Sequence, residues 1–325
     1  MRHVREGEDC TMAANNPVFG NECGLPLNAV AWLEMHHRCK AAEREQMVRD
    51  LQLKAGSLVV DAGCGPGLWV PLLARAIGPQ GRIIGVDISV EALVTARRRS
   101  AGTWYASQVE YKLAPLEQLP LAHGTVDAIF SANVSQYLPE PVKTFKTLGQ
   151  YLVPGGRLIV KDIDFGTLRF HTIDAGLQAR VFQARERWER VRVEHGYPFE
   201  DSWVGSKLAG YLREAGYEEI EEKTYLIQRR YPLSPDYRAY LQGIAEWFVC
   251  EGAPGLSSED LTAWLQCFFD EEYNVFDQET FLYEETEYVV SGVWPGRLAS
   301  REEETLAASF EEPERRLLSL EEVLH

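Results

Sequence analysis

The feature that most restricts the fold of this chain is an alternation between residues 57 and 164. A short apolar run is followed by a segment with helical spacing, then by another apolar run. The runs are rich in β-branched residues and predict buried strands, and the segments between them have the length of crossover helices. Strands separated in this way form βαβ units, with a parallel sheet and helices on both faces. The pattern therefore predicts an α/β fold.

Five strands are predicted in this region, with the sequences SLVVDA, RIIGVD, QVEYKL, VDAIFSAN and PGGRLIVKDID. Ser89 is placed to cap the helix after the second strand, and the arginines at 97–99 suit the negative end of that helix. Residues 27–51, before the first strand, have the apolar spacing of two short helices.

The pattern changes after Asp164. Residues 174–195 predict one long amphipathic helix, and residues 235–250 and 257–271 predict two more. EEIEEKTYLIQRRYPL and TFLYEETEYVVSGVW predict further strands. Insertions of this length exceed an ordinary crossover, so we expect a lid over a ligand pocket. Its aromatic side chains either suit a flat ligand or form the lid's own core, and they are Phe165, Phe170, Trp188, Tyr197 and Trp203.

We divide the chain into parts of a single domain. Residues 1–25 are expected to be a mobile N-terminus, and 26–164 to hold the cap helices and the ligand-binding core. Residues 165–295 are expected to hold the lid insertions with the remaining strands and helices, and 296–325 to be a charged tail.

Charge and composition exclude several classes of protein. The formal net charge of −16 repels nucleic-acid phosphates and anionic membranes, so neither is an expected partner. The N-terminus lacks the apolar region of a secretory signal, and no run reaches the roughly 18 apolar residues of a membrane span. The six cysteines form no C-x-x-C pair. We predict a cytoplasmic protein, monomeric or homodimeric, without a metal site.

The loop DAGCGPG follows the first predicted strand, and glycine there permits a tight turn or a close approach to a ligand. A dinucleotide fingerprint would need a third glycine where the chain has Leu68, and a P-loop would need a lysine after Gly67. Both phosphate-binding motifs therefore fail. Asp87, at the end of the second strand, is placed to accept hydrogen bonds from a ribose diol. A ligand with a ribose and no phosphates at this sheet edge is S-adenosylmethionine (SAM).

At this point the chain resembles the class I SAM-dependent methyltransferases, and among them the UbiE-like group that acts on small molecules. The matching segments are VVDAGCGPG, IIGVD, LEQLPL, VDAIFSANVSQYL and YLVPGGRLIV, in the family's order. WVGSKLAGYLREAGY and the closing strand are also similar, so the resemblance covers roughly residues 30–295. It implies a Rossmann-like, doubly wound sheet of seven mostly parallel strands, with an antiparallel last strand and helical lid insertions.

The resemblance also implies positions around SAM and its product S-adenosylhomocysteine. Asp61, Gly63 and Gly65 should line the methionine end, and Gly67 should let the helix begin close to the ligand. The other implied contacts are Asp87 with the ribose, Ile88 and the Leu116 N–H with the adenine, and Asn133 with the methionine moiety. Arg38 and Lys40 are placed to meet the SAM carboxylate, unless they belong to a charged helix face.

One segment departs from the family pattern. Where the family often has an acid or amide that reads the adenine amino group, this chain has Pro115 in APLEQLP. The contact must come from elsewhere, such as a backbone carbonyl. We interpret Glu117 as a solvated loop acid.

No catalytic constellation can be read from the sequence, because methyl transfer mainly needs alignment and exclusion of water. The candidate catalytic residues are Tyr137 after the fourth strand, Asp162 and Asp164 at the ligand edge of the fifth, and His171 in the insertion. His36 and His37 are further candidate bases, of which at most one should face the site because adjacent helical residues point in different directions.

We predict methyl transfer from SAM to an O or N atom of a small molecule, such as an aromatic or secondary-metabolite acceptor. Transfer to C or S, and a SAM-fold enzyme or binding module without methyl transfer, remain alternatives. A nucleic-acid or protein substrate is disfavoured by the acidity, and by SANVSQY in place of an Asn/Asp-Pro-Pro-aromatic segment. Leu68 disfavours an NAD oxidoreductase.

Overall fold

The computed structural model describes residues 20–250 and 255–296. Seven strands of the described chain form one sheet in the order β3-β2-β1-β4-β5-β7-β6. Their bounds are β1 Leu58–Ala62, β2 Arg82–Asp87, β3 Val109–Leu113, β4 Val126–Ala132, β5 Leu152–Phe170, β6 Glu218–Arg230 and β7 Leu282–Val293. The first five strands are parallel, and β7 is antiparallel to both of its neighbours. The predicted doubly wound sheet with an antiparallel last strand is confirmed.

Helices pack on both faces of this sheet. Their bounds are α1 Val30–Cys39, α2 Ala41–Asp50, α3 Val70–Ile77, α4 Val90–Ser100, α5 Pro141–Gly149, α6 Ala175–Val191, α7 Leu208–Glu214, α8 Pro235–Val249 and α9 Ser258–Phe269. The predicted cap of α4 is present, because the Ser89 hydroxyl accepts a hydrogen bond of 3.0 Å from the Ala92 N–H. The basic last turn of the same helix, residues 97–99, is also present.

Strand β5 is longer than predicted. Pairing with β4 ends at Lys161, but pairing with the antiparallel β7 continues past Asp164 and, after an irregularity, to Phe170. The first residues of the predicted lid insertion are therefore strand, because β7 supplies backbone partners beyond the edge of the parallel sheet. The lid helix α6 begins only at Ala175.

The lid has an apolar core of its own. Phe170 packs against Trp264 and Phe268 of α9, with ring centroids 5.9 and 4.9 Å apart. Trp188 contacts Tyr197 and His195. Most of the aromatics predicted from the insertion therefore serve the lid's own packing, which was one of the two interpretations. Trp32 of α1 belongs to the same apolar cluster, so the first cap helix packs with the lid.

Residues 20–28, which we call the N-terminal strap, lie against the sheet's ligand edge. A bridge pairs Gly20 with Pro26. The Glu22 carboxylate accepts hydrogen bonds from the Ser89 hydroxyl and the Glu91 N–H, at 2.7 and 3.1 Å. Residues 20–25 of the predicted mobile N-terminus are thus docked. Its residues 1–19, and positions 297–325 of the predicted charged tail, lie outside the described residues.

Candidate active site

The glycine loop after β1 forms one wall of a cavity of about 290 Å³, here called the large cavity. Gly63 and Gly65 line it and have positive φ angles of 75° and 52°, which favour glycine. A Cβ on Gly63 would lie 2.4 Å from a methyl carbon of Val134. Gly67 also has positive φ, but an added Cβ there would meet the Tyr111 hydroxyl at 2.8 Å and Ala96 at 3.2 Å. Gly67 therefore allows close helix packing and does not line the cavity.

Asp87 lies at the end of β2 and lines the large cavity, as its predicted role requires. One carboxylate oxygen accepts a hydrogen bond from the Gly65 N–H at 2.7 Å, and the other accepts one from the Ser89 N–H at 2.8 Å. These bonds fix the carboxylate plane, and each oxygen keeps a lone pair for a further donor. Two adjacent ribose hydroxyls match this arrangement.

Asp61 is a buried acid, and one of its carboxylate oxygens has no hydrogen-bond partner. It is 1% exposed, and its Oδ2 has no hydrogen-bond partner. Burial, together with the nearby Asp87 carboxylate, raises the pKa of Asp61 to about 8. A buried carboxylate without a partner is stabilised by a cation, and the ammonium group of SAM is a cation of suitable size. Asp61 is not among the residues that line the large cavity, so its contact with the methionine end of SAM stays a prediction, and the fit of this edge to SAM rests on Asp87.

The opposite end of the large cavity is lined by Ile88, which is 48% exposed, and by Leu116. Because the apolar side chain of Ile88 is exposed to this extent, it offers a surface on which an adenine ring can pack. Pro115 also lines the cavity. Glu117 is an exposed residue at its rim, and its carboxylate accepts a hydrogen bond from Thr144 at 3.2 Å.

The cation on the cavity wall is Arg44 of α2, and the predicted Arg38 lies elsewhere. Arg38 is exposed and forms an ion pair with Asp236 at 2.9 Å. The guanidinium of Arg44 is buried, contacts the His37 ring, and stacks 4.9 Å from the Trp69 ring centroid. Arg38 is the penultimate residue of α1 and does not line the large cavity, whereas Arg44 lies in the first turn of α2 and does line it. The prediction considered the basic residues at the end of α1 and missed Arg44 in the first turn of α2.

A second, smaller cavity of about 30 Å³ adjoins the first and is here called the small cavity. Five residues line both cavities: Asn28, Leu33, His36, Asn133 and Tyr137. The rest of the small cavity is mainly apolar and aromatic, formed by Leu27, Trp32, Ile163, Phe165, Tyr240 and Ile244, with Gln136 as a polar neighbour. Of the predicted lid aromatics only Phe165 reaches it. Trp32 and Tyr240, from α1 and α8, were not predicted.

The predicted catalytic residues separate into two groups. Tyr137 lines both cavities, and its hydroxyl donates a 2.7 Å hydrogen bond to the Pro26 carbonyl of the N-terminal strap. Asp162, Asp164 and His171 line neither cavity. The Asp162 carboxylate accepts from the Ser135 and Ile163 N–H groups, and Asp164 accepts from Gly166 and Ser206. His171 lies beside Glu284 at 2.6 Å, on the far extension of β5.

These placements have a physical reason. Because the antiparallel β7 extends β5 beyond the sheet, the chain after Asp164 leads away from the ligand edge. The backbone N–H groups of the adjoining turns need acceptors, and the two aspartates supply them. Burial, partly offset by Lys161, raises the pKa of Asp162 to about 7 without bringing its carboxylate to a cavity.

Asn133, at the end of β4, lines both cavities and has a φ of 59°, a conformation that asparagine tolerates better than most residues. Its side-chain oxygen accepts a 2.7 Å hydrogen bond from Lys161. Lys161 also pairs with Glu287 at 2.8 Å, and Lys40 pairs with Glu287 and Glu285 at 2.9 and 2.5 Å. These four charged side chains, all without solvent exposure, form the buried ion cluster. It positions Asn133 from beneath the cavities.

The buried ion cluster was not predicted. Glu285 and Glu287 alternate with Thr286 in a strand, which is a recognisable signal for two acids on one face. Their partners, however, come from a helix boundary and from β5, and only the fold brings these together. Burial opposes charge on Glu287, yet Lys161, Lys40 and Arg44 keep its pKa below the usual range.

Comparison with known proteins identifies relatives of this chain. Residues 53–215 match the family model described as "Methyltransferase domain". A Streptomyces fradiae protein of transposon TN4556, described as uncharacterized, is 36% identical over 220 residues, covering 66% of this chain and 59% of that protein. The demethylmenaquinone methyltransferase of Symbiobacterium thermophilum is 27% identical, covering 62% of this chain and 81% of that enzyme. The crystal structure of a methyltransferase candidate from Bacillus halodurans C-125 aligns with a TM-score of 0.49 and 18% identity, over 77% of this chain and 98% of that one.

The family match identifies a domain of the class I SAM-dependent methyltransferases, the class whose cofactor is S-adenosylmethionine. Within that class the chain belongs to the methyltransferase domain family. The predicted resemblance, fold and cofactor are confirmed.

Two negative findings concern only the chain that the structure describes. None of its helices has the length and apolarity to cross a bilayer, and its His, Cys, Asp and Glu residues form no group of three or more suited to a metal ion.

Proposed function

We propose that this protein transfers the methyl group of SAM to an oxygen or nitrogen atom of a small acceptor molecule. The observation that carries the proposal is the contact between the two cavities. The large cavity offers Asp87 as a partner for the ribose of SAM, and the small aromatic cavity shares five residues with it. Bound SAM supplies a methyl group on a positively charged sulfur, which is already a strong electrophile. The protein's residues need only orient the acceptor and exclude water.

Four residues and the N-terminal strap have separate roles in SAM binding under this proposal. Asp61 holds the ammonium, Asp87 holds the ribose hydroxyls, and Ile88 packs on the adenine. Asn133, fixed by Lys161, lies where the cavities meet and orients the methionine end. The N-terminal strap covers the large cavity through Asn21 and Leu25, and excludes water from it.

A small acceptor is supported by the apolar and aromatic lining of the small cavity and by the name of the demethylmenaquinone methyltransferase relative. The net charge of −16 argues against a nucleic-acid substrate. The chain spans 59% of the first relative's length, so acceptor, partners and a cytoplasmic location are parts of this proposal.

The test combines binding with product analysis. Calorimetry should show SAM binding, and Asp87→Ala should weaken it about 100-fold, because two charge-assisted hydrogen bonds contribute about 1.5 kcal/mol or more each. Glu279→Ala, at an exposed acid that lines neither cavity, is the matched acidic control and should bind within about 3-fold of the unchanged protein.

Incubation with isotope-labelled SAM and a panel of phenols, amines and thiols should give O- or N-methylated products by mass spectrometry. Products methylated only on carbon or sulfur would contradict the proposed acceptor atom. SAM binding without any transfer across the panel would favour a SAM-fold module or an enzyme of another reaction.

A further inference from the structure

Strand β6 is the terminal strand of the sheet in the described chain, and β7 pairs with one of its two edges. The Tyr231 N–H, just after β6, donates to the Phe281 carbonyl on the β7 side. Opposite Leu226, the Thr286 N–H of β7 donates away from β6, to the Thr167 hydroxyl. Both bonds give the same alternation. The odd-numbered residues of β6 direct their backbone groups at β7, and the even-numbered residues direct theirs outward.

The even-numbered side chains between positions 222 and 230 share one face of β6. All of them are exposed, and they are Glu222, Thr224, Leu226, Gln228 and Arg230. Leu226 is a large apolar residue, yet 61% of it is exposed. A long exposed edge strand is a template for another strand, and charge on the edge selects which strand can pair with it.

The charges of β6 are ordered along the strand. Its first five residues include four acids, and its last two residues are arginines. A second copy of β6 running in the same direction would place like charges side by side. A copy running in the opposite direction places each acidic half beside a basic half, and a two-fold axis generates this antiparallel arrangement. The charge order therefore fits a second copy of this chain.

One antiparallel register satisfies the exposed face at every position. With Leu226 on the two-fold axis, the leucine meets its own copy. Glu222 then lies opposite Arg230 of the second copy, and Thr224 lies opposite its Gln228. Because all of these residues direct their backbone groups outward, the five opposing pairs can exchange about ten backbone hydrogen bonds.

The other face contains one like-charged pair in this register, in which Lys223 lies opposite Arg229 of the second copy. Both cations already have partners on α2. The Arg229 guanidinium pairs with Glu43 at 2.9 Å, and the Lys223 ammonium donates to the Asp50 carbonyl at 3.1 Å. Arg229 also donates to the outward Gln228 carbonyl at 2.9 Å, and that oxygen keeps a second lone pair.

We propose that the outer edge of β6, residues 222–230, is the interface of a two-fold symmetric homodimer in which the two sheets join into one continuous sheet. The sequence left monomer and homodimer open, and the edge favours the homodimer. The inference is independent of the proposed function, because no residue of β6 lines either cavity.

The first test exchanges charges across the axis. Sedimentation velocity of the full chain should show a dimer at micromolar concentration. Glu222→Arg and Arg230→Glu should each weaken dimerisation about 10- to 100-fold, because two opposing pairs per dimer become like-charged. The double variant Glu222→Arg/Arg230→Glu restores opposite charges and should dimerise within about 3-fold of the unchanged protein.

Glu110→Arg is the matched control, at an exposed acid on the other edge strand, β3, and should leave the dimer intact. A monomeric unchanged protein would overturn the proposal, as would a double variant that dimerises no better than the single variants. Loss of the dimer in Glu110→Arg but not in Glu222→Arg would assign the interface to β3 and overturn it too.

The second test is a disulfide across the axis. Opposing Cα atoms at position 226 would lie about 5.5 Å apart, so Leu226→Cys should form an intermolecular disulfide on mild oxidation, located by peptide mass spectrometry. In the control Thr224→Cys the two new thiols would lie about 14 Å apart and should not join. No disulfide at position 226, or equal cross-linking in both variants, would overturn the proposal.

Hydrogen exchange identifies a different occupant of the edge. In a homodimer, amide protection at residues 222–230 should rise with protein concentration. Equal protection at low and high concentration would show that another segment of the same chain covers the edge, which contradicts the proposal.

Discussion

Asp61 and Glu287 are buried acids whose environments shift their pKa values in opposite directions. Asp61 has a neighbouring carboxylate and no cation, and its pKa is raised to about 8. Glu287 has two lysines and an arginine near it, and its pKa is lowered. Ionisation of Asp61 therefore costs folding free energy as the pH rises from about 4 to about 8. Glu287 contributes stability at neutral pH that is lost as the pH falls below its ordinary range.

The ammonium of SAM should reverse the shift at Asp61. At pH 6.5 the free protein carries a protonated Asp61, and a bound cation favours the carboxylate, so binding should release about one proton. Calorimetry in two buffers of different ionisation enthalpy measures this number directly. Asp61→Asn should abolish the release and weaken SAM binding about 10- to 100-fold. Proton release that persists in Asp61→Asn would assign it to another group.

Most of the donor half of the site was predictable residue by residue, although Asp61, Gly67 and Arg38 do not line the large cavity, and the acceptor half was not predictable. Gly63, Gly65, Asp87, Ile88, Leu116 and Asn133 all line the large cavity as predicted. They follow strand ends directly, so their sequence positions fix their place at the sheet edge. Trp32, Tyr240 and Gln136 meet only through packing of α1, α8 and the turn after β4. The spacing of these three residues in the sequence does not predict that their side chains lie close together.

Among the larger elements, the N-terminal strap is the one that closes the large cavity. Polar contacts attach it at two points: Glu22 at the start of α4, and the Pro26 carbonyl at the hydroxyl of Tyr137. A segment attached by few hydrogen bonds opens more readily than the sheet beneath it. Entry and exit of SAM are therefore expected to depend on these attachments.

Tyr137→Phe removes one attachment and keeps the ring. The loss of one hydrogen bond, about 1 kcal/mol, should weaken SAM binding about 5-fold through faster dissociation, with little change in kcat. Stopped-flow dissociation measures the rate. Tyr273→Phe, at a tyrosine that is 69% exposed, is the matched control. A large fall in kcat with unchanged dissociation would instead give Tyr137 the catalytic role that its position after β4 first predicted.

The strands and helices themselves were largely predictable, because their apolar periods are regular and their ends carry glycine or a capping residue. The extension of β5 was not. Residues 165–170 lie in an insertion without strand-like alternation, and they are strand because β7 pairs with them. The pairing strand lies about 120 residues away in sequence, so this strand extension depends on tertiary structure and cannot be predicted from the local sequence pattern.

For the molecule taken together, the buried ion cluster joins three distant parts of the chain. Lys40 comes from the cap helices, Lys161 from β5, and Glu285 and Glu287 from β7. Removing one partner from a buried pair leaves a charge without compensation. The cluster therefore makes the cap helices, the sheet and the last strand depend on one another.

Lys40→Met should lower the free energy of unfolding by about 3 to 5 kcal/mol, because Glu285 loses a cation in a site without solvent. Denaturant unfolding followed by circular dichroism measures the loss. Arg38→Met, in the exposed pair with Asp236, should cost at most about 1 kcal/mol. Equal and small losses in both variants would show that the cluster contributes specificity rather than stability.

The separation of Lys40 and Glu287 by 247 positions also has a consequence during synthesis. At roughly 5 to 20 residues per second, about 10 to 50 s pass between the ribosome's addition of the lysine and of its partner. Throughout that interval the cap helices lack the carboxylates that neutralise their buried cations, and those cations remain hydrated. The first helices of the nascent chain are thus among the last to dock, and the catalytic cleft is completed only when the final strand has emerged.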